Sequence, residues 1–210
     1  MKLDKRALVG GINLWPEGIV PYKIDSEFSE DHKQSIVAGL EEITTRTENC
    51  IRFVEYTEEH SNWLNIVDKS GCWVDTIGMK KTPGSQQLSL HHSGCVTRDT
   101  IIHEAMHALG FNHEQIRTDR DQYVKILYEN IDPDFSSNFD KAQNTGVEIP
   151  ESPYDYMSVM HYYSNGFSLN GLPTITPALK SQRKWRYKMG RPSTASDADI
   201  YRIRKVYGCI

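Results

Sequence analysis

The stretch His103-Glu104-Ala105-Met106-His107-Ala108-Leu109-Gly110-Phe111-Asn112-His113 decides how this chain folds. From Thr97 to Leu109 the residues are apolar on most sides (Ile101, Ile102, Ala105, Met106, Ala108, Leu109), which predicts a buried helix. Residues four apart share a helical face, so the imidazoles of His103 and His107 can reach one ion. Zinc takes nitrogen ligands at about 2.0–2.1 Å in a tetrahedral arrangement, and a catalytic site leaves one position for water. Two imidazoles do not complete such a centre. A continued helix would carry His113 roughly 9 Å further along the axis and off the ligand face. The chain must therefore leave the helix and turn back. Gly110 stands where that turn is needed, because glycine accepts a left-handed backbone at little steric cost.

The chemistry follows from the ligand set. Three neutral imidazoles leave the ion its full double charge, and a water in the open position would have its pKa lowered to near 7. Glu104, next to His103, is placed to take that proton as general base and pass it to a leaving amine. The expected reaction is peptide hydrolysis without an acyl-enzyme, so no nucleophilic Ser or Cys is required. Surface histidines on an ordinary helix would not be set among so many apolar residues. Two rivals remain. One is a zinc hydrolase with a downstream glutamate such as Glu129 as third ligand, which leaves Gly110 and His113 unexplained. The other is a catalytically silent binding protein that holds zinc only structurally, against which the intact general base Glu104 speaks.

Outward from this helix the periodicity is informative on the N-terminal side. Ile19 to Ile24 reads as a strand, with Pro21 favouring an edge or a bulge. Ile36, Val37, Leu40 and Ile43 space an amphipathic helix over about 29–47. Ile51 to Tyr56, Leu64 to Val67 and Gln87 to His91 read as strands, the last after the turn signal Thr82-Pro83-Gly84-Ser85. From 111 to 195 turn signals outnumber periodic ones. Ser196 with Asp199 opens a final helix that Gly208 ends. This distribution predicts two lobes meeting near residue 110.

With 24 Lys+Arg against 28 Asp+Glu, the 210-residue chain carries a formal charge of −4, which argues against a surface built to grip nucleic acid. Its apolar runs are too short to cross a bilayer. Cys50, Cys72, Cys95 and Cys209 include no C-x-x-C pair, so their even number and wide spacing suit two disulfides in an oxidising compartment. Spacing alone leaves three pairings open. Residues 1–6 lack the apolar region of an export signal and read as an N-terminal extension, either a propeptide remnant or an artificial addition. Lys5-Arg6 before Ala7 is a possible dibasic processing site.

The string His103-Glu104-x-x-His107-x-x-Gly110-x-x-His113 is the metzincin zinc signature, and its extension through Phe111 and Glu114 resembles the astacin family of zinc endopeptidases. Ser158-Val159-Met160-His161-Tyr162 is similar to that family's Met-turn. Similarity also shows at Trp15 to Tyr22, Gly71-Cys72, Gln86 to Cys95 and Ser196 to Cys209, so it spans residues 7–210 as one catalytic domain with lobes over about 7–110 and 111–210. The resemblance implies an α+β, two-lobed metzincin fold: a mixed sheet and zinc helix in the N-terminal lobe, and a mostly irregular C-terminal lobe ending in a helix. It implies Zn2+ held by His103, His107 and His113, with Tyr162 as a further ligand that swings away to hydrogen-bond the oxyanion, and Met160 as an apolar floor. It implies disulfides Cys50–Cys209 and Cys72–Cys95. It further implies that Glu114 pairs with the amino terminus of a processed zymogen, without which its burial would be costly. A secreted monomer acting on protein or peptide substrates, with neither nucleic acid nor membrane insertion, is the expected biology.

Two features address substrate. Gln86 to His91, with Gln86 and Ser89 as substrate-binding residues, is expected to be the cleft's edge strand that an extended substrate pairs with. Lys180 to Arg191 holds six basic residues and no acid. It reads either as a solvated loop face or as a cation source beside the cleft, with Arg186 and Lys188 favouring acidic residues after the scissile bond. His91, His92 and His161 receive no role.

Overall fold

The computed structural model describes residues 11–142 and 152–210, so residues 1–6 and the processing site before Ala7 lie outside the described residues. In chain order the elements are β1 (Ile19–Ile24), α1 (Glu30–Arg46), β2 (Arg52–Glu55), β3 (Asn62–Val67), β4 (Cys72–Val74), β5 (Gly84–Leu90), α2 (Arg98–Ala108), β6 (Val124–Ile126), β7 (Ile175–Pro177) and α3 (Asp197–Val206), with short 3-10 turns between them. Five strands form one sheet in the order β2-β1-β3-β5-β4, and β6 and β7 form a small second sheet. The first four strands of that order run parallel, and β4 is antiparallel to β5.

The sheet and the two N-terminal helices exist to bury one another. Leu64, Ile66, Leu88 and Leu90 are fully buried against Ile36, Leu40 and Ile43 of α1 and Ile101, Ile102 and Ala105 of α2. Ser29 caps α1 by accepting the His32 N–H. At α3, Ser196 and Asp199 close a reciprocal capping box.

The second half of the chain divides between two apolar cores. Val159, Met160, Ile200, Ile203 and Tyr207 pack into the first core with the sheet and α2. Val124, Ile131, Phe139, Tyr154, Tyr156, Ile175 and Met189 form a second core below it. The final helix therefore follows the lower segment in sequence but packs on the upper core. The Cys50–Cys209 disulfide fixes that return, joining the residues after α1 to those after α3, and Cys72–Cys95 joins β4 to the approach to α2. Among the described residues no helix is long and apolar enough to cross a membrane.

Three sequence expectations are corrected. Pro21 lies in an interior strand, flanked by β2 and β3. It is tolerated because the β1–β3 pairing begins only at Tyr22, so no rung there needs its missing N–H. β5 begins at Gly84, within the turn signal. Finally, β5 is not an edge strand: β3 pairs along one side and β4 along the other. The edges are β2 and β4, and the one beyond β5 is β4, a three-residue strand with no alternation to betray it.

Candidate active site

The reversal after α2 is built from the backbone. Gly110 has φ +106°, its N–H bonds the His107 carbonyl at 2.9 Å, and the Phe111 N–H bonds the Met106 carbonyl at 3.0 Å. This pair of bonds is a Schellman stop, which glycine adopts without a Cβ penalty. The freed carbonyls of Ala108 and Leu109 accept from the Trp15 indole N–H (2.8 Å) and the Tyr207 hydroxyl (3.0 Å). Residues nearly a hundred positions away on each side therefore hold the helix end at which the chain turns.

The turn brings the three imidazoles together. Nε2 of His113 lies 3.2 Å from Nε2 of His107 and 3.2 Å from Nε2 of His103. Nitrogens bound tetrahedrally at 2.0–2.1 Å would be about 3.3–3.4 Å apart, so the set fits zinc. The Nδ1 atoms of His103 and His107 donate to the carbonyls of Val159 (2.7 Å) and Phe111 (2.8 Å), which leaves the Nε2 lone pairs facing inward. Burial lowers the pKa of all three imidazoles, that of His107 to about 3, so they are neutral donors at ordinary pH.

Glu104 projects beside them and is 4 % exposed. Burial pushes its carboxyl up to about 8, and its Oε2 is buried without a hydrogen-bond partner among the described residues. An orphaned carboxylate oxygen next to three lone pairs is what a cation and its water would satisfy, and a doubly charged ion reverses the shift that burial imposes. The Tyr162 ring lies 4.5 Å from that of His113. Burial, and then the charge of Glu104, raise the Tyr162 phenol to about 12, so it remains a proton donor.

The segment around Met160 is held from α3. Asp199, fully buried, accepts from the Ser158 hydroxyl (2.6 Å), the Val159 N–H (2.9 Å) and the Ser196 N–H (2.9 Å). Since the Val159 carbonyl orients His103, a carboxylate on the last helix sets a ligand on α2. Met160 is buried in the core with Ala105 and Met106, and its carbonyl accepts the Glu114 N–H at 2.9 Å. His161, given no role by sequence, is buried between the Tyr154 hydroxyl and the Tyr162 carbonyl and positions this turn.

Glu114 is not alone. Arg202 grips it with two bonds (2.8 and 2.9 Å), and Arg117 (3.1 Å) and the Asp155 N–H (2.7 Å) complete its shell. Burial pushes this carboxyl up, against the pull of both guanidiniums. Two cations among the described residues thus already pair with Glu114, and the expected amino-terminal partner lies outside the described residues.

A cleft of about 460 Å³ opens beside the imidazoles. One wall is α2, with Asp99, Thr100, His103 and Glu104; the other follows Met160, with Tyr162, Tyr163, Phe167, Gly190 and Pro192. Gly190 (φ +67°) lies so close to Tyr162 that a Cβ there would be 2.4 Å from its carbonyl carbon. Cys72, at the start of edge strand β4, also lines the cleft.

The proposed substrate residues lie elsewhere. Gln86 is buried and braces a loop, accepting the Lys80 N–H (2.8 Å) and donating to the Gly78 carbonyl (2.9 Å). Ser89 is buried and donates to the Lys69 and Gly71 carbonyls. Both expectations fail because β5 is interior. Arg186 and Lys188 are exposed and absent from the cleft wall, and the Arg186 guanidinium sits over the Tyr187 ring. Glu129 is exposed and lies outside the ligand group. A second trio, Asp68, His91 and His92, has close donor atoms, but Asp68 and His92 are already paired with each other at 2.8 Å.

Comparison with known proteins adds a second line of evidence. The family model described as Astacin, a peptidase family, matches residues 9–208. Zinc metalloproteinase nas-15 of Caenorhabditis elegans is 37% identical over 203 residues, covering 97% of this chain and 34% of that protein. High choriolytic enzyme 1 of Oryzias latipes is 38% identical over 192 residues, covering 91% of this chain and 66% of that protein. The chain thus spans about a third to two thirds of the length of these curated relatives. The solved structure of that Oryzias latipes hatching enzyme, a zinc-protease, superposes with a TM-score of 0.84 at 36% identity, covering 100% of this chain and 99% of its own. Myroilysin, 19% identical with a TM-score of 0.61, shares the fold.

Proposed function

This chain belongs to the astacin family of peptidases, and from that premise we propose that it is a zinc-dependent endopeptidase in which His103, His107 and His113 hold the metal. The observation that carries this reading is the meeting of three inward Nε2 atoms, that of His113 lying 3.2 Å from each of the other two, beside a Glu104 Oε2 without a partner among the described residues. A zinc ion held there supplies a polarised scissile carbonyl and a bound water with a pKa near 7.

The side chains divide the remaining work. Glu104 accepts the proton of the attacking water and delivers it to the leaving amine. Tyr162, protonated up to about pH 12, donates a hydrogen bond to the developing oxyanion. The edge strand β4 offers its unpaired side to an extended substrate, which makes internal peptide bonds the target. The two disulfides fit an extracellular protein, and since every part of the site comes from one chain, a monomer suffices. The silent-binder alternative gives no reason for a buried, unpartnered carboxylate beside the ligands.

Two measurements test the reading. Casein digestion should stop when a chelator strips the metal and return on adding zinc; digestion that persists in metal-free protein defeats the proposal. Tyr162→Phe should lower kcat by about 10²-fold with KM little changed. A variant with wild-type kcat removes Tyr162 from the chemistry.

A further inference from the structure

Asp99 stands four residues before His103, as His103 stands four before His107. All three therefore fall on one face of α2, and Asp99 lies about 6 Å along the axis from the first ligand. It lines the cleft with Thr100, His103 and Glu104. Its carboxylate makes no ion pair among the described residues. The neighbouring Arg98 is turned away onto Glu42 of α1. Among the described residues no Lys or Arg lines the cleft; the opposite wall is made by residues such as Tyr163, Gly190 and Pro192. Arg191 is exposed, with its guanidinium 5.8 Å from the Tyr163 ring centroid at the rim.

We infer that Asp99 is a specificity-determining residue that selects a Lys or Arg side chain at one of the two substrate residues flanking the scissile bond. This rests on the endopeptidase reading above and adds a substrate class to it. A helix-terminal carboxylate also complements the helix dipole, but that role needs no access to a cleft. Here the residue lines the cleft beside the metal ligand His103, where a Lys or Arg side chain of a bound substrate would meet its charge. An acidic substrate side chain in the same place would meet Asp99 with nothing on the wall to offset it. The selection is the reverse of what Arg186 and Lys188 would impose.

The test is cleavage of a peptide library randomised at both residues flanking the scissile bond, by zinc-loaded wild type, Asp99→Asn and Asp99→Lys, with zinc content measured for each. Wild type should favour Lys and Arg over Asp and Glu by about 10- to 100-fold at one flanking position. Asp99→Asn should collapse that ratio within its own cleavage profile, and Asp99→Lys should invert it. An unchanged ratio in zinc-loaded Asp99→Asn overturns the assignment. So does an acidic preference in wild type, which would return specificity to the basic rim. Zinc-loaded wild type that cleaves no member of the library overturns the endopeptidase reading itself, and this inference with it.

Discussion

Glu104→Gln should lose about 10³-fold or more in kcat/KM while retaining its zinc. Glutamine preserves the shape of the side chain and removes the basic oxygen. The three imidazoles are held by other groups, His103 by Val159 and His107 by Phe111, so the ligand set does not depend on Glu104. The loss should appear in kcat more than in KM, because the proton is moved in the transition state. Single-turnover cleavage of a fluorogenic peptide, with metal content measured on the same sample, checks this. A zinc-loaded Glu104→Gln enzyme within tenfold of wild type would remove the general-base role.

The second large effect concerns stability. Arg202→Met should lower the unfolding free energy by about 3–5 kcal/mol, the cost of leaving a buried charge without its main partner. Glu114 is 4 % exposed, and Arg202 provides two of its four hydrogen bonds. Arg117 remains but makes a single bond at 3.1 Å. Replacing both partners, as Glu114→Leu with Arg202→Leu, should cost less than Arg202→Met alone, because the Glu114 charge is then not stranded, while Asp199 loses its 3.6 Å contact with Arg202 in either variant. Urea unfolding at neutral pH reads all three. An Arg202→Met protein within about 1 kcal/mol of wild type would show that Arg117 alone suffices. The variant should also bind zinc more weakly: Glu114 follows His113, and its N–H is bonded to Met160.

Much of the site was legible in sequence because its logic is local. Helical period places His103 and His107 on one face, and Gly110 is required where the chain reverses to deliver His113; the Nε2 separations agree with that reading. The cap of the last helix at Ser196 was readable for the same reason. The cysteine pairing and the Met160 segment came from family resemblance, since nothing in the spacing of four cysteines selects one pairing of three. Residue types also misled. The alternating pattern of β5 is the same whether a strand is at an edge or inside, so Gln86 and Ser89 were assigned to a cleft they do not reach.

What the sequence determined by itself is the zinc helix, its stop and the spacing of its ligands, because these are encoded by residue types within a dozen positions of one another. Tertiary structure alone decided what surrounds them. It put Asp99 on the cleft wall and Arg186 and Lys188 off it, made β4 the free edge, and gave Glu114 the guanidiniums of Arg117 and Arg202. Such placements depend on where α3 returns to the upper core, and a buried charge or a strand edge acquires its partner only when distant segments of the chain are packed together.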